Sequence, residues 1–271
     1  MNSEKATEKF FTHGIERYGT FHGNYLNFGL WENNITNYIK AAENMISRVA
    51  SKIKLNKNSI LLDVACGMGS QDLFIIKTFN CKRINAIDLT TKHIAIAKER
   101  NTFPNITYQV GNACAIPYKK ETFTHVTGIE GPVNFNTREK FFQEAYRVLK
   151  PKGKLGISDF TLKRKPKNKL ELVLVKFCTW LWHIPWDNVD TKETYKHKLE
   201  RNGFIKVEIE DVSSFAYPGY YNEQAKLETR KALYNIRGQV IGRISFFIDW
   251  VTYVLYKKGL IGYILVSAEK K

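Results

Sequence analysis

The run Ile60-Leu61-Leu62-Asp63-Val64-Ala65-Cys66-Gly67-Met68-Gly69-Ser70-Gln71-Asp72 restricts this chain more than any other stretch. Its apolar start reads as a buried parallel strand closing on Asp63, and two glycines follow at once. Residues Gln71 to Phe79 then read as a helix. A strand, a glycine loop and a helix offer backbone N–H groups at the helix start, and glycine lets a ligand's polar end lie on the main chain. A second apolar strand, Ile84 to Ile87, closes on Asp88, a carboxylate placed to suit a ribose diol.

From Asn58 to Phe160 strand-like and helix-like stretches alternate, the pattern of a parallel sheet with helices on both faces. Strands are expected at 59–63, 84–88, 106–110, 124–129 and 154–159, and a crossover helix at Thr91 to Arg100. Before this core, Phe10, Phe11, Ile15 and Tyr18 recur at helical spacing, as do Ile39, Ala42, Met45, Ile46 and Val49. Asn136 is expected to cap a helix with Glu139 three residues on, and Lys150-Pro151-Lys152-Gly153 to end it. Asp190 is expected to cap a later helix that Gly203 stops, ahead of a sixth strand over Phe204 to Val212 and a last one over Tyr263 to Ser267.

The glycine spacing also discriminates between nucleotides. Counted from Gly67, the dinucleotide pattern G-x-G-x-x-G needs a small residue where this chain has Asp72. An acid there would crowd helix–strand packing and add negative charge near a pyrophosphate, so an adenosyl ligand without phosphates fits better. The run resembles motif I, roughly D-x-x-C-G-x-G, of the class I S-adenosylmethionine (SAM) dependent methyltransferases, in particular the small-molecule (type 11) family. The likeness extends from about Tyr18 to the C-terminus.

That resemblance implies an α/β fold, a Rossmann-like doubly wound seven-stranded sheet with the last strand antiparallel between the fifth and sixth, plus N-terminal helices and helical cap insertions. It implies one methyltransferase domain over 1–271, comprising a helical lid (1–58), a SAM-binding core (59–160) and cap insertions at 161–190 and 213–259. SAM is the implied cofactor and S-adenosylhomocysteine (SAH) the product. The Gly67–Gly69 loop would hold the methionine part and Asp88 the ribose. Asn112, where the family usually has Asp, would accept from the adenine amino group beside Ala113. The aromatic stretch from Phe21 to Trp31 would fold over the sulfonium, with Tyr18, Tyr25 and Trp31 as π-faces. Asp63, Ala65, Leu89 and Glu130 complete the implied cofactor contacts.

Methyl transfer is an in-line displacement on an already activated cofactor, so the protein need only position the acceptor and exclude water. Where the acceptor must lose a proton a base helps; Glu130, His183 and His22 are the expected candidates, with Asp159 a further one and His125 set aside as mid-strand. No His/Cys/Asp cluster has metal-ligand spacing, so no metal is expected. The expected acceptor is O or C of a lipophilic or aromatic small molecule. The alternatives are N-methylation of a small amine, or RNA methylation using the basic surface.

Charge bears on that last alternative. Lys and Arg number 42 against 26 Asp and Glu, a formal net charge of +16, which suits an anionic partner or plain solubility. No N/D-P-P-Y/F sequence lies near Glu130 and no RNA-binding motif is appended, which disfavours nucleic acid. A basic run (Lys163, Arg164, Lys165, Lys167, Lys169) precedes the tryptophan-rich segment Leu170 to Trp186. This segment reads as a lid on the core or as a peripheral contact with an anionic membrane. The four cysteines are scattered, no leader is visible and no apolar stretch runs uninterrupted, so a cytoplasmic setting is expected. A homodimer is left open.

Overall fold

A computed structural model describes Thr12 and residues 22–271 of the chain. Phe10, Phe11, Ile15 and Tyr18, on which a first helix and a Tyr18 contact with the cofactor are expected, lie outside the described residues. Helix α1 (Tyr38–Lys52) forms on the apolar repeat that buries Ala42, Met45, Ile46 and Val49, and the Asn37 side chain caps it by accepting from Lys40 N (3.1 Å). Strand β1 (Ile60–Val64) leads through the glycine loop into α2 (Ser70–Phe79), followed by β2 (Arg83–Asp88), α3 (Thr91–Arg100), β3 (Ile106–Val110) and β4 (Phe123–Ile129).

Next come α4 (Arg138–Val148), β5 (Leu149–Leu162), α5 (Lys169–Leu181), α6 (Lys192–Arg201) and β6 (Phe204–Asp211). Three helices, α7 (Ser213–Ala225), α8 (Leu227–Arg237) and α9 (Gln239–Lys257), precede β7 (Ile261–Lys270). The sheet order is β3-β2-β1-β4-β5-β7-β6. The four pairings among β1 to β5 are parallel, and β7 runs antiparallel to both β5 and β6, as the resemblance implied.

Side-chain alternation along the strands builds two cores. Leu62, Val64 and Ile157 pack on one face with Phe141, Phe142 and Leu199 of α4 and α6. Leu61, Ile84 and Ala86 pack on the other with Ile46, Ile75 and Ile94 of α1, α2 and α3. Because β1 lies between β2 and β4, the strand order reverses beside it. The carboxyl ends of β1 and β4 therefore flank the crevice where open α/β sheets bind ligands.

Local details differ from expectation in three places. Thr137, not Asn136, caps α4, its hydroxyl accepting from Lys140 N (3.4 Å). Thr191, not Asp190, caps α6 in a reciprocal box with Thr194, because the Asp190 carboxylate is drawn to the buried Arg138 guanidinium (2.7 Å). The turn expected at Lys150 to Gly153 is an outward bulge inside β5, whose pairing with β4 jumps from Leu149 to Lys154. No helix among the described residues is long and apolar enough to cross a membrane.

Candidate active site

At the carboxyl ends of β1, β2 and β4 lies a cavity of about 850 Å³ that continues beneath α5, α8 and α9. Ala65, Gly67, Asp88 and Leu89 line its sheet end, with Asn112, Ala113 and Glu130 beside them. Glycine at 67 meets a backbone need, with φ +55°, and a Cβ there would approach only Leu26, at 3.4 Å. The loop's main chain is therefore bare toward the cavity.

Asp88 holds that loop in shape. One carboxylate oxygen accepts from Gly67 N (3.0 Å); the other accepts from Thr90 N (2.8 Å) and meets His93 Nδ1 (3.0 Å). Burial alone would raise its pKa, but these bonds outweigh burial and keep the carboxyl below its ordinary value, hence ionised.

Three implied contacts stand behind the wall, not in it. Asp63 is fully buried, accepting from Thr127 (2.7 Å) and Gln71 (2.5 Å), and burial pushes its pKa up to about 6. Gly69 (φ +78°) begins α2 with Tyr108 packed over it. Trp31 is turned toward α7, its indole N–H bonded to Phe28 O (2.9 Å) and its ring where any Gly219 side chain would have to sit. Asp72 also departs from expectation: buried beside Asp63, it is pushed well above its ordinary value by burial and by that neighbour's charge. It fills space under the loop. Asn112 lines the cavity with its amide oxygen already accepting from Cys114 N (2.8 Å).

The proposed bases fare unequally. Glu130, Ala65 and His183 all adopt left-handed backbone conformations (φ +56°, +63° and +54°), and all border the cavity, a clustering of strain at one place. Glu130 accepts from Phe28 N (2.6 Å) and from the Tyr263 hydroxyl through one carboxylate oxygen. Burial raises its pKa to about 8 despite those two bonds. His22 stacks on Tyr38 (centroids 4.0 Å apart), and burial, aided by Arg237, lowers its pKa to about 3, so it stays neutral and is a poor base. His183 is exposed in the turn after α5, and its pKa is also lowered by burial. Asp159 is removed as a base, because its carboxylate is spent on Arg138 (2.9 Å) and the Tyr195 hydroxyl (3.0 Å) within the core. His125 bridges Thr124 and Ile53 O away from this cavity.

Of the aromatics the sequence singled out, Tyr25 lines the cavity and Trp31 does not, and three further rings join the wall. Phe28 stacks on Tyr220 (3.8 Å, 9°) with the Phe160 ring edge-on to it (4.9 Å), and all three line the cavity near Glu130. Asn134 Nδ2 donates to Trp182 O (2.7 Å), tethering the end of α5 to the tip of β4. Phe28 and Tyr220 lie on separate, non-periodic stretches, and nothing in the sequence paired them.

Residues 62–157 match the family model described as a methyltransferase domain. The chain is 32% identical over 201 residues to an erythromycin 3''-O-methyltransferase of Saccharopolyspora erythraea, an alignment covering 71% of this chain and 66% of that one. It is 24% identical to a 27-O-demethylrifamycin SV methyltransferase of Amycolatopsis mediterranei, covering 92% and 90%. The [4+2]-cyclase SpnF shares the fold at TM-score 0.77 and 22% identity, covering 100% of this chain and 97% of that one. The glycine loop, the acid closing β2, the strand order and these likenesses converge: the chain belongs to the class I SAM-dependent methyltransferases.

Proposed function

We propose that this protein transfers a methyl group from SAM to an oxygen or carbon of a lipophilic small molecule. The observation that carries this reading is a single cavity joining the bare Gly67 loop and Asp88 to an apolar chamber under the cap, with Glu130 at the junction. The cofactor would rest on the Gly67 main chain with its ribose on Asp88, while Ala113 and Asn112 border the base. When bound, SAM supplies a methyl group already activated on sulfur. Segments 161–190 and 213–259 would act as the cap of one domain, keeping water out and the acceptor in line.

Names of relatives support oxygen as the atom methylated, since both are described as acting on oxygen or on an O-demethyl precursor. A hydroxyl acceptor must shed its proton, and Glu130 is placed to take it at a carboxylate oxygen. The chamber is apolar, with Val175, Ile184, Leu233 and Ile248 in its wall, which favours a greasy acceptor over a small polar amine. The cyclase neighbour is a reminder that this fold does not by itself dictate transfer. Incubation with methyl-labelled SAM and pools of macrolide, polyketide, quinone and amine acceptors tests the reading. Label in a lipophilic product supports it, and label only in amines or in none contradicts it.

Two further outcomes follow. Asp88→Ala should weaken SAH binding by about 1–3 kcal/mol, the scale of lost charge-assisted bonds, by calorimetry; unchanged affinity would misplace the ribose. Glu130 is the base only as the carboxylate, and its pKa is raised to about 8. With a hydroxyl acceptor kcat/KM should therefore rise with pH through about 8 and level off above it. Glu130→Gln should remove this limb and lower kcat by roughly 10²-fold or more. A limb that survives in the variant excludes Glu130.

A further inference from the structure

Helix α5 has two apolar faces. Val175 and Cys178 are buried toward α9, and the Trp182 indole donates to the Thr252 hydroxyl there (2.8 Å). On the other side Leu170, Val173, Phe177 and Trp180 recur at helical spacing and face solvent, Leu170 at 68% and Trp180 at 71% exposure. Helix α9 adds Val240, Ile244, Phe247 and Trp250, also exposed. Trp180, Ile241 and Ile244 are both exposed and part of the cavity wall, so the cavity opens onto this apolar surface. An apolar patch of that extent marks a binding face.

Its rim is cationic. Lys165, Lys167 and Lys169 lead into α5, Lys176 lies on it 5.5 Å from the Trp186 ring centre, and Lys257 and Lys258 end α9. These ends meet, since Arg164 reaches Lys258 O (3.5 Å). Two neighbouring acids are already used, Glu171 by Arg164 (2.7 Å) and Asp211 by Lys163 (3.2 Å). No ion pair among the described residues engages Lys165, Lys167, Lys169 or Lys176.

We propose that the α5/α9 face docks on an anionic lipid bilayer, so that a lipophilic acceptor enters the cavity directly from the membrane. The lysines would sit at the headgroups, with Leu170, Val173, Trp180 and Trp250 at the acyl boundary. A second copy of the chain is the poorer occupant, because it would bring its own lysines and a net charge of +16 against the same rim.

The test is flotation with phosphatidylcholine vesicles containing about a third phosphatidylglycerol, against phosphatidylcholine alone. The protein should bind the anionic vesicles and release as salt rises. Lys165→Gln/Lys167→Gln/Lys169→Gln should lower the partition coefficient about a hundredfold. Leu170→Ser/Val173→Ser, which lies outside the cavity wall, should lower it by about tenfold or more. Both variants should keep wild-type SAH affinity. Absence of vesicle binding, or binding as tight as wild type by both variants, would overturn the proposal. So would a dimer that Leu170→Ser/Val173→Ser dissolves in a protein that ignores vesicles. Docking does not depend on the cofactor reading: vesicle binding by a protein that fails to bind SAH would sustain the one and refute the other.

Discussion

Gly67→Val is expected to raise the Kd for SAH by at least about a hundredfold, roughly 2.8 kcal/mol of lost binding. Two causes act together. The side chain enters the cavity wall where the main chain is bare, with only Leu26 nearby. A β-branched residue also resists φ +55°, at a cost of about 1–2 kcal/mol, and as it relaxes it draws the Gly67 N–H away from Asp88. Melting should fall by only about 2–8 °C, so a folded protein that has lost its ligand is the expected result. Titration calorimetry and circular dichroism of the same sample separate the two effects. Near-normal affinity would mean that the ligand does not touch this loop.

The largest stability effect is expected at Arg138, whose side chain is fully buried. Its guanidinium binds Asp159 (2.9 Å) and Asp190 (2.7 Å), and donates to Phe160 O (3.1 Å). Its backbone N–H donates to the Asn188 side chain (2.8 Å), whose own amide donates to Val133 O (2.8 Å) and Phe135 O (2.7 Å). Arg138 thereby ties the loop after β4 to the segment entering α6, both of which wall the cavity. Arg138→Ala leaves Asp159 buried without a counter-charge and Asp190 with Lys198 alone (2.8 Å), and should cost about 3–5 kcal/mol. Thermal or urea unfolding measures it; a loss below about 1 kcal/mol would show that water replaces the guanidinium there.

What the sequence disclosed, and what it hid, follows from this contrast. The strands were legible because each is a short apolar run bounded by turn residues, and β1, β2 and β3 lie within a residue or so of their expected bounds. The sheet end of the cavity was legible too, since Gly67 and Asp88 carry local signals. Arg138 carried none. Its partners Asp159 and Asp190 stand 21 and 52 residues away, and periodicity records which face a residue takes but not which distant charge it meets. The same blindness misread Asp190 as a helix cap and Asp159 as a base. It also placed Trp31 in the cavity wall, where Phe28 and Tyr220 stand beside Tyr25. Nor could the one-residue strain at Ala65 and Glu130 be foreseen, because neither residue type favours left-handed backbone.

The central claim is that an adenosyl ligand rests on the main chain beyond β1 and is held by the acid closing β2. A crystal structure of the protein with SAH tests it most directly. The prediction is ligand density against Gly67 with the ribose hydroxyls within hydrogen-bonding distance of Asp88. Density elsewhere in the cavity, or Asp88 still engaged only by Gly67, Thr90 and His93 in a protein saturated with SAH, would contradict it.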